Sequence, residues 1–279
     1  MPKPGSKPRL AIGLLGVFLL VNLVYLAIER VYEPLAIPVT LGVVSVVVLY
    51  LVHRWDTKPP IYDRELRKLA NQLQGLAAVV NLVPILRGSF LPFGCWAMEP
   101  SCLLRLMSHI QSERPDVIIE CGSGLSTLLV GSLLRQNRRG HLYSAEEDEA
   151  WHRLMSQLIE DHNLDDYVTL IHAPLEPYAV GDAVEVEWYR TGDLSRGLAS
   201  VERADVLLID GPKTVETLSR YPALPFFSSL VDEQTLILLD DVNRAEEQSV
   251  IEEWQSLYCL RIDIDRTAER HQAYIHMKS

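Results

Sequence analysis

Val117–Leu129 reads V-I-I-E-C-G-S-G-L-S-T-L-L. An apolar, strand-like run ends in an acid and two closely spaced glycines, and leucines at helical spacing follow. Gly122 and Gly124 can take backbone conformations closed to other residues, and without side chains they let a ligand approach the main chain. Glu120 stands at the carboxyl end of the strand, facing the same crevice. The pattern predicts an α/β domain with a nucleotide-type ligand at a strand-to-helix turn. A dinucleotide fingerprint would carry a third glycine or alanine where this chain has Thr127, which disfavours a nicotinamide cofactor.

Outward from that turn the chain alternates strands with acidic ends. His141–Ala145 predicts a second strand, and Glu146, Glu147 and Asp148 follow it. They lie roughly 20 residues past the turn, where an acid can hold ribose hydroxyls, and Glu146 is the expected contact. A third strand, Val168–His172, runs into Ala173-Pro174-Leu175. A fourth, Asp205–Ile209, runs into Asp210-Gly211-Pro212-Lys213, and a fifth, Thr235–Leu239, into Asp240-Asp241. Some 220 residues beyond the front of the chain suffice for one doubly wound α/β domain with a sizeable core.

The phrases E-C-G-S-G, Y-S-A-E, L-L-I-D-G-P-K and L-I-L-L-D-D, in this order, resemble class I S-adenosylmethionine-dependent methyltransferases over roughly residues 91–279. The resemblance implies a Rossmann-like seven-stranded sheet, with the glycine turn beside the methionine part of the cofactor and the acid after the second strand on its ribose. Matched residue by residue, the cofactor set is Glu120, Gly122, Gly124, Ser126, Thr127 and Glu146, with Ala173 and Asp210 at the ends of the third and fourth strands. The phrase L-P-F-G-C-W-A-M-E-P-S from Leu91, W-Y at Trp188 and Tyr189, and R-Y-P-A-L-P from Arg220 are similar to a bacterial subgroup found with surface-glycan genes.

A sulfonium methyl group is already activated, so such an enzyme must align the nucleophile, exclude water and remove a proton if the acceptor is a hydroxyl. The set Asp210, Lys213, Asp240 and Asp241 resembles metal-dependent catechol-type O-methyltransferases. In these an aspartate after the fourth strand and an Asp-Asn pair after the fifth hold magnesium, and a lysine three residues past the first aspartate is the base. This implies Asp210, Lys213 and Asp240 as catalytic residues, and Asp210, Asp240 and Asp241 as ligands of Mg2+ or another divalent cation. Asp241 stands where the pattern has asparagine, and Gly211-Pro212 is not the catechol-type sequence. Two readings stay open. A hard divalent ion gathers three carboxylates that would otherwise repel, or Asp240 is a metal-free base and Asp241 caps the following helix.

The front of the chain differs in kind. Leu10–Ile28 is a run of 19 uncharged residues and Leu35–Val52 a run of 18. As helices they would span about 27 to 29 Å, close to a bilayer core of ~30 Å. Residues 1–58 are therefore expected to form a two-helix transmembrane hairpin. Lys3, Lys7 and Arg9 before the first run, and Arg54 and Lys58 after the second, predict both ends, and the catalytic domain, in the cytoplasm. A signal peptide would have a shorter apolar core and a small-residue cleavage site, which Ala27-Ile28-Glu29 does not supply.

Residues 1–58 hold six Lys or Arg and three Asp or Glu, so the total of −11 leaves −14 on the remainder. An acidic domain without a Lys/Arg stripe argues against a nucleic-acid substrate. After Pro59-Pro60, residues 59–90 form an amphipathic linker, with leucines at 66, 69, 73 and 76 followed by Val80 and Val83. Such a stripe packs on its own domain, a membrane surface or a second copy of the chain. Cys95, Cys102, Cys121 and Cys259 show no paired metal-ligand spacing, and reduced thiols are expected. The segment from Glu176 to Arg203 reads as a long loop over the acceptor pocket, with Trp188, Tyr189 and Arg190 as contacts, or as a hairpin, since V-E-V-E-W-Y alternates.

The expected activity is O-methylation of a small-molecule, sugar or lipid-linked hydroxyl at the cytoplasmic face of a membrane. A silent membrane-tethered scaffold and a nicotinamide-linked sugar-modifying enzyme are the alternatives. Loss of the glycine turn or its acids would mark the first, and nicotinamide binding the second.

Overall fold

The computed structural model describes residues 97–278 except 181–183, 214–216 and 267–269, together with residues 66, 70, 71, 73, 75, 77–82 and 85. Contacts divide the chain into Met1–Arg67 and Lys68–Ser279, and the fold that follows is that of the second unit. The expected transmembrane hairpin lies outside the described residues. Among the described residues no helix is long and apolar enough to cross a membrane.

The chain runs α1 (Pro100–Glu113), β1 (Val117–Cys121), α2 (Leu125–Asn137), β2 (His141–Glu146), α3 (Glu149–Asp161), β3 (Val168–His172), β4 (Leu175–Val180), β5 (Val184–Tyr189) and α4 (Thr191–Gly197). It continues through β6 (Val206–Ile209), α5 (Ala223–Phe227), β7 (Leu236–Leu239), α6 (Ala245–Leu257), β8 (Leu260–Asp265) and β9 (Gln272–Met277). Seven strands form one sheet in the order β3-β2-β1-β6-β7-β9-β8. The first five in that order are parallel, and β9 pairs antiparallel with both β7 and β8. This is the α/β, Rossmann-like mixed sheet that the motifs imply.

The short central strands are apolar throughout because both of their faces are covered, as parallel sheets require. Alternation sends Val206, Leu208, Leu236 and Leu238 to one core, with Leu103, Ile110 and Leu128, and Leu207, Ile209, Ile237 and Leu239 to the other, with Phe227 and Trp254. Chain order reverses between β1 and β6, so a crevice opens at the carboxyl ends of those two strands. The turns after β1, β2, β6 and β7 all meet there.

Of the two readings of the segment after β3, a long loop or a hairpin, the structure has the hairpin. β4 and β5 pair as an antiparallel hairpin, and α4 follows at once. Trp188 and Tyr189 are fully buried core residues on β5, which removes them as exposed acceptor contacts. Alternation decides this: Val186, Trp188 and the adjoining Tyr189 turn inward while Glu185 and Glu187 face water. In the linker, the described residues between 66 and 82 are helical. Among the described residues Ala78 and Leu82 are buried, whereas Leu73 and Val80 are exposed.

Candidate active site

The glycine turn is built from main chain pressed on main chain. Gly122 has φ +93°, and its N–H donates to Ala145 O at 3.0 Å. The N–H groups of Asp210 and Gly211 both donate to Cys121 O, at 3.0 and 2.6 Å. A Cβ on Gly122 would lie 2.9 Å from Gly211 N, whereas one on Gly124 meets nothing within 4 Å. The two glycines therefore have different work: Gly122 lets the β1 and β6 exits touch, and Gly124 borders open space. Gly122→Ala should cost at least about 2 kcal/mol, from left-handed backbone strain and the backbone clash. Gly124→Ala should stay within about 0.5 kcal/mol of the parent. Chemical denaturation of both variants measures this.

Glu120 is fully buried and serves the turn from beneath. Its Oε2 accepts from Thr127 Oγ1 and Ser144 Oγ, both at 2.6 Å, and its Oε1 accepts from Ser126 Oγ. Burial pushes its carboxyl above the ordinary range against these three hydroxyls. Thr127 Oγ1 also accepts from Gly124 N–H at 2.9 Å. This is why threonine replaces the third glycine of a dinucleotide fingerprint: its hydroxyl links the helix N-terminus to the buried acid. Cys121, also in the turn, is a buried thiol whose pKa burial raises, which leaves it unreactive.

Glu146 ends β2 beside the turn. Its Oε2 accepts from Ser123 N and Ser123 Oγ at 3.2 and 2.6 Å, and its Oε1 from Asp148 N at 3.0 Å. Burial, opposed by the Ser123 hydroxyl, pushes its carboxyl up to about 7. Asp148 caps α3 by accepting from Trp151 N, and the Trp151 indole donates to Ser123 O at 2.9 Å, fixing the outer side of the turn. Ala173 is buried and ties its N–H to Glu146 O at 2.8 Å.

Asp210, Asp240 and Asp241 meet at the ends of β6 and β7, with one carboxylate oxygen from each within 4.8 Å of the others. Neither oxygen of the fully buried Asp240 has a hydrogen-bond partner of good geometry, although the Gln272 side chain lies alongside. Burial first, then Asp241, raises Asp240 to about 6, and burial with Asp240 raises Asp210. Lys213 is exposed, and its backbone N–H donates to Glu147 Oε1 at 3.4 Å. Asp241 sits at φ +63° and does not cap α6, whose N-cap is Arg244. Its carboxylate is held instead by Arg244 at 3.0 Å, Arg220 at 3.6 Å and Arg270 at 3.7 Å.

Whether the acidic set fits a divalent ion turns on Arg220, whose side chain is 4% exposed. Its Nη2 lies 3.6 Å from both Asp210 Oδ1 and Asp241 Oδ2. Hard divalent ions bond oxygen at about 2.0–2.6 Å, so one held by either oxygen would stand within about 6 Å of that guanidinium. At an effective dielectric constant of ~20 the repulsion is about 5 kcal/mol. The carboxyls of Asp210, Asp240, Asp241 and Glu247 already face Arg220, Arg244 and Arg270. A dication would have to share carboxylate oxygens that Arg220 and Arg244 already pair with, so the set does not fit one while Arg220 keeps its place.

Beside the cluster lies a cavity of about 610 Å³, lined by Asn71, Gly75, Ala97, Glu99, Pro100, Asp241, Asn243, Arg244 and Arg270. Sequence reading passed over Trp151 and Arg270 entirely and took Ser123, Ser144 and Arg220 only as parts of phrases. Single hydroxyls and arginines carry no spacing signature; only the fold brings them to the strand ends.

With this geometry in place, comparison with known proteins gives the enzyme class. Residues 119–242 match the family described as a methyltransferase domain, and the chain is an S-adenosylmethionine-dependent methyltransferase. No curated protein is significantly similar to it in sequence. Among solved structures, it is similar in fold to the Podospora anserina methyltransferase PaMTH1 bound to SAH, with 14% identity over 72% of this chain and 88% of that one at a TM-score of 0.52. An O-methyltransferase from Bacillus cereus in complex with SAH matches at 16% identity over 77% and 91%, with a TM-score of 0.47. TomG from Streptomyces achromogenes, an O-methyltransferase in complex with SAM, matches at 14% identity over 72% and 90%, with a TM-score of 0.46.

Proposed function

We propose that this protein transfers a methyl group from S-adenosylmethionine to a hydroxyl oxygen of a small-molecule, sugar or lipid-linked acceptor, at the cytoplasmic face of a membrane to which residues 1–58 anchor it. The observation that carries the oxygen acceptor is Asp240, a fully buried carboxyl at the end of β7, two strands from the glycine turn, whose pKa burial and Asp241 raise against the neighbouring Gln272 side chain. A hydroxyl attacking a sulfonium methyl must lose its proton. A carboxyl raised to about 6 is ionised at neutral pH and still basic enough to take that proton.

The cofactor's methionine part would lie along Gly122–Gly124, bordered by Ser126 and Thr127, with Glu120 bracing the turn. Its ribose would replace Ser123 on Glu146, and Ala173 would flank the base. Asp210, with 16% of its side chain exposed, orients the acceptor hydroxyl toward the methyl group. Lys213 stands at the mouth and balances the acidic cluster. The acceptor's remainder occupies the cavity beside Asp241, Arg244 and Arg270. The uncharged runs 10–28 and 35–52 support the anchor, and an anchored enzyme reaches acceptors held in or on the bilayer.

The test is transfer of labelled methyl from S-adenosylmethionine into extracts of the native membrane by the full-length chain. The expected product is a small or lipid-extractable molecule whose label survives mild alkali, as an ether does. Label confined to protein or nucleic acid, or no labelled product in any fraction, would refute the reading.

A further inference from the structure

Both turns that close the acidic end of the crevice converge on one buried side chain. Arg220 lies in the phrase before α5, eleven residues past the end of β6, and every nitrogen of its guanidinium is engaged. Nε donates to Pro212 O at 3.4 Å, Nη1 to Asp240 O at 3.2 Å and Nη2 to Asp210 O at 2.5 Å. The same group is ion-paired with Asp210 and Asp241 at 3.6 Å and with Glu247 at 3.7 Å. One planar cation thus holds the main chain of the β6 exit to that of the β7 exit, and at the same time faces three acids from two turns and a helix.

A divalent ion bridging Asp210, Asp240 and Asp241 would do the same two things: neutralise the carboxylates and fix the strand ends. We propose that Arg220 is a positioning residue that takes the place of such an ion. It ties Asp210 and Asp241 to the crevice wall, the cluster works without a metal, and metal affinity appears only when the charge of Arg220 is removed. Guanidinium suits the task because its fork satisfies several carbonyls from one fixed plane, which an ammonium cannot do. Its burial makes the charge effective, since little water screens it. The metal-binding half stands on geometry alone, and the catalytic half rests on the methyl-transfer reading.

The experiment titrates the full-length chain in detergent with Mn2+, followed by calorimetry and electron paramagnetic resonance, for the parent, Arg220→Met, Arg220→Lys and Arg220→Met/Asp240→Asn. The parent and Arg220→Lys should show no saturable Mn2+ site. Arg220→Met should gain one, at least tenfold tighter than any binding by the parent, and the added Asp240→Asn should abolish it. Methyl incorporation by the parent should be unchanged by thorough chelation. A tight Mn2+ site in the parent that Asp240→Asn removes would overturn the proposal, and so would Arg220→Met, shown to be folded by its melting transition, binding no more Mn2+ than the parent. If Arg220→Met does not fold, the parent and Arg220→Lys titrations still decide. S-adenosylhomocysteine is added separately in a thermal-shift assay. Absence of any shift or methyl incorporation would count against the methyltransferase reading without touching the Mn2+ result.

Discussion

Asp240→Asn is expected to lower methyl transfer by about 10²- to 10⁴-fold, the usual weight of a general base, with S-adenosylmethionine affinity within about twofold of the parent. The substitution keeps shape and removes basicity. Burial and the neighbouring Asp241 carboxylate make the ionised Asp240 costly, and that cost is what makes it basic. The parent's turnover should therefore fall about tenfold per pH unit below about 6, where Asp240 is protonated, and level off above it. Calorimetry on cofactor binding and initial rates across pH separate the two quantities. Turnover near the parent's in Asp240→Asn would move the base to Asp210 or Lys213.

The second large effect concerns Glu146. Glu146→Gln should weaken S-adenosylmethionine binding by about 10- to 100-fold, because a charge-assisted pair of hydrogen bonds to ribose is replaced by weaker neutral ones. The same change should stabilise the protein above neutral pH. Folding raises this carboxyl from 4.5 to about 7, so the folded state prefers the protonated form. The associated stability is fully present below pH 4.5 and is lost as pH rises through about 7, some 3 kcal/mol in all. Glutamine cannot ionise and escapes that loss. Urea unfolding at pH 5 and pH 8 should show a steeper decline in the parent than in the variant, which keeps only the decline from the other buried carboxyls. Cofactor affinity of the parent should rise roughly tenfold between pH 6 and pH 8, since ribose selects the ionised carboxylate. Equal affinity in parent and variant would exclude Glu146 as the ribose contact.

The parallel strands were legible because each is a short run rich in apolar residues, ending in an acid or a glycine in all but Val168–His172, which runs into Ala173-Pro174. Val168–His172 has the expected bounds, and the other runs differ only at one end. The antiparallel β8–β9 pair was not distinguished, because R-I-D-I-D alternates like any exposed edge. The glycine turn and the carboxyls after β2, β6 and β7 could be read for the same reason: strand ends in a parallel sheet converge, whatever the loops do. What could not be read is pairing. Three carboxylates in sequence look like a metal set until a guanidinium from a separate turn is placed among them, and no spacing in the sequence foretells that placement. Trp188 and Tyr189 misled in the same way, since loop aromatics and inward-facing hairpin aromatics look alike until register fixes the face.

The contact between Gly122 and Gly211 couples the two halves of the crevice. With no room for even a methyl group between them, the wall near the sulfonium and the wall near the attacking oxygen behave as a single rigid jaw whose gape is set by backbone thickness. Acceptors of different size are then accommodated by remodelling the opposite side, around Ala97, Pro100 and Asn243, and redesign of acceptor choice should begin there rather than in the glycine turn.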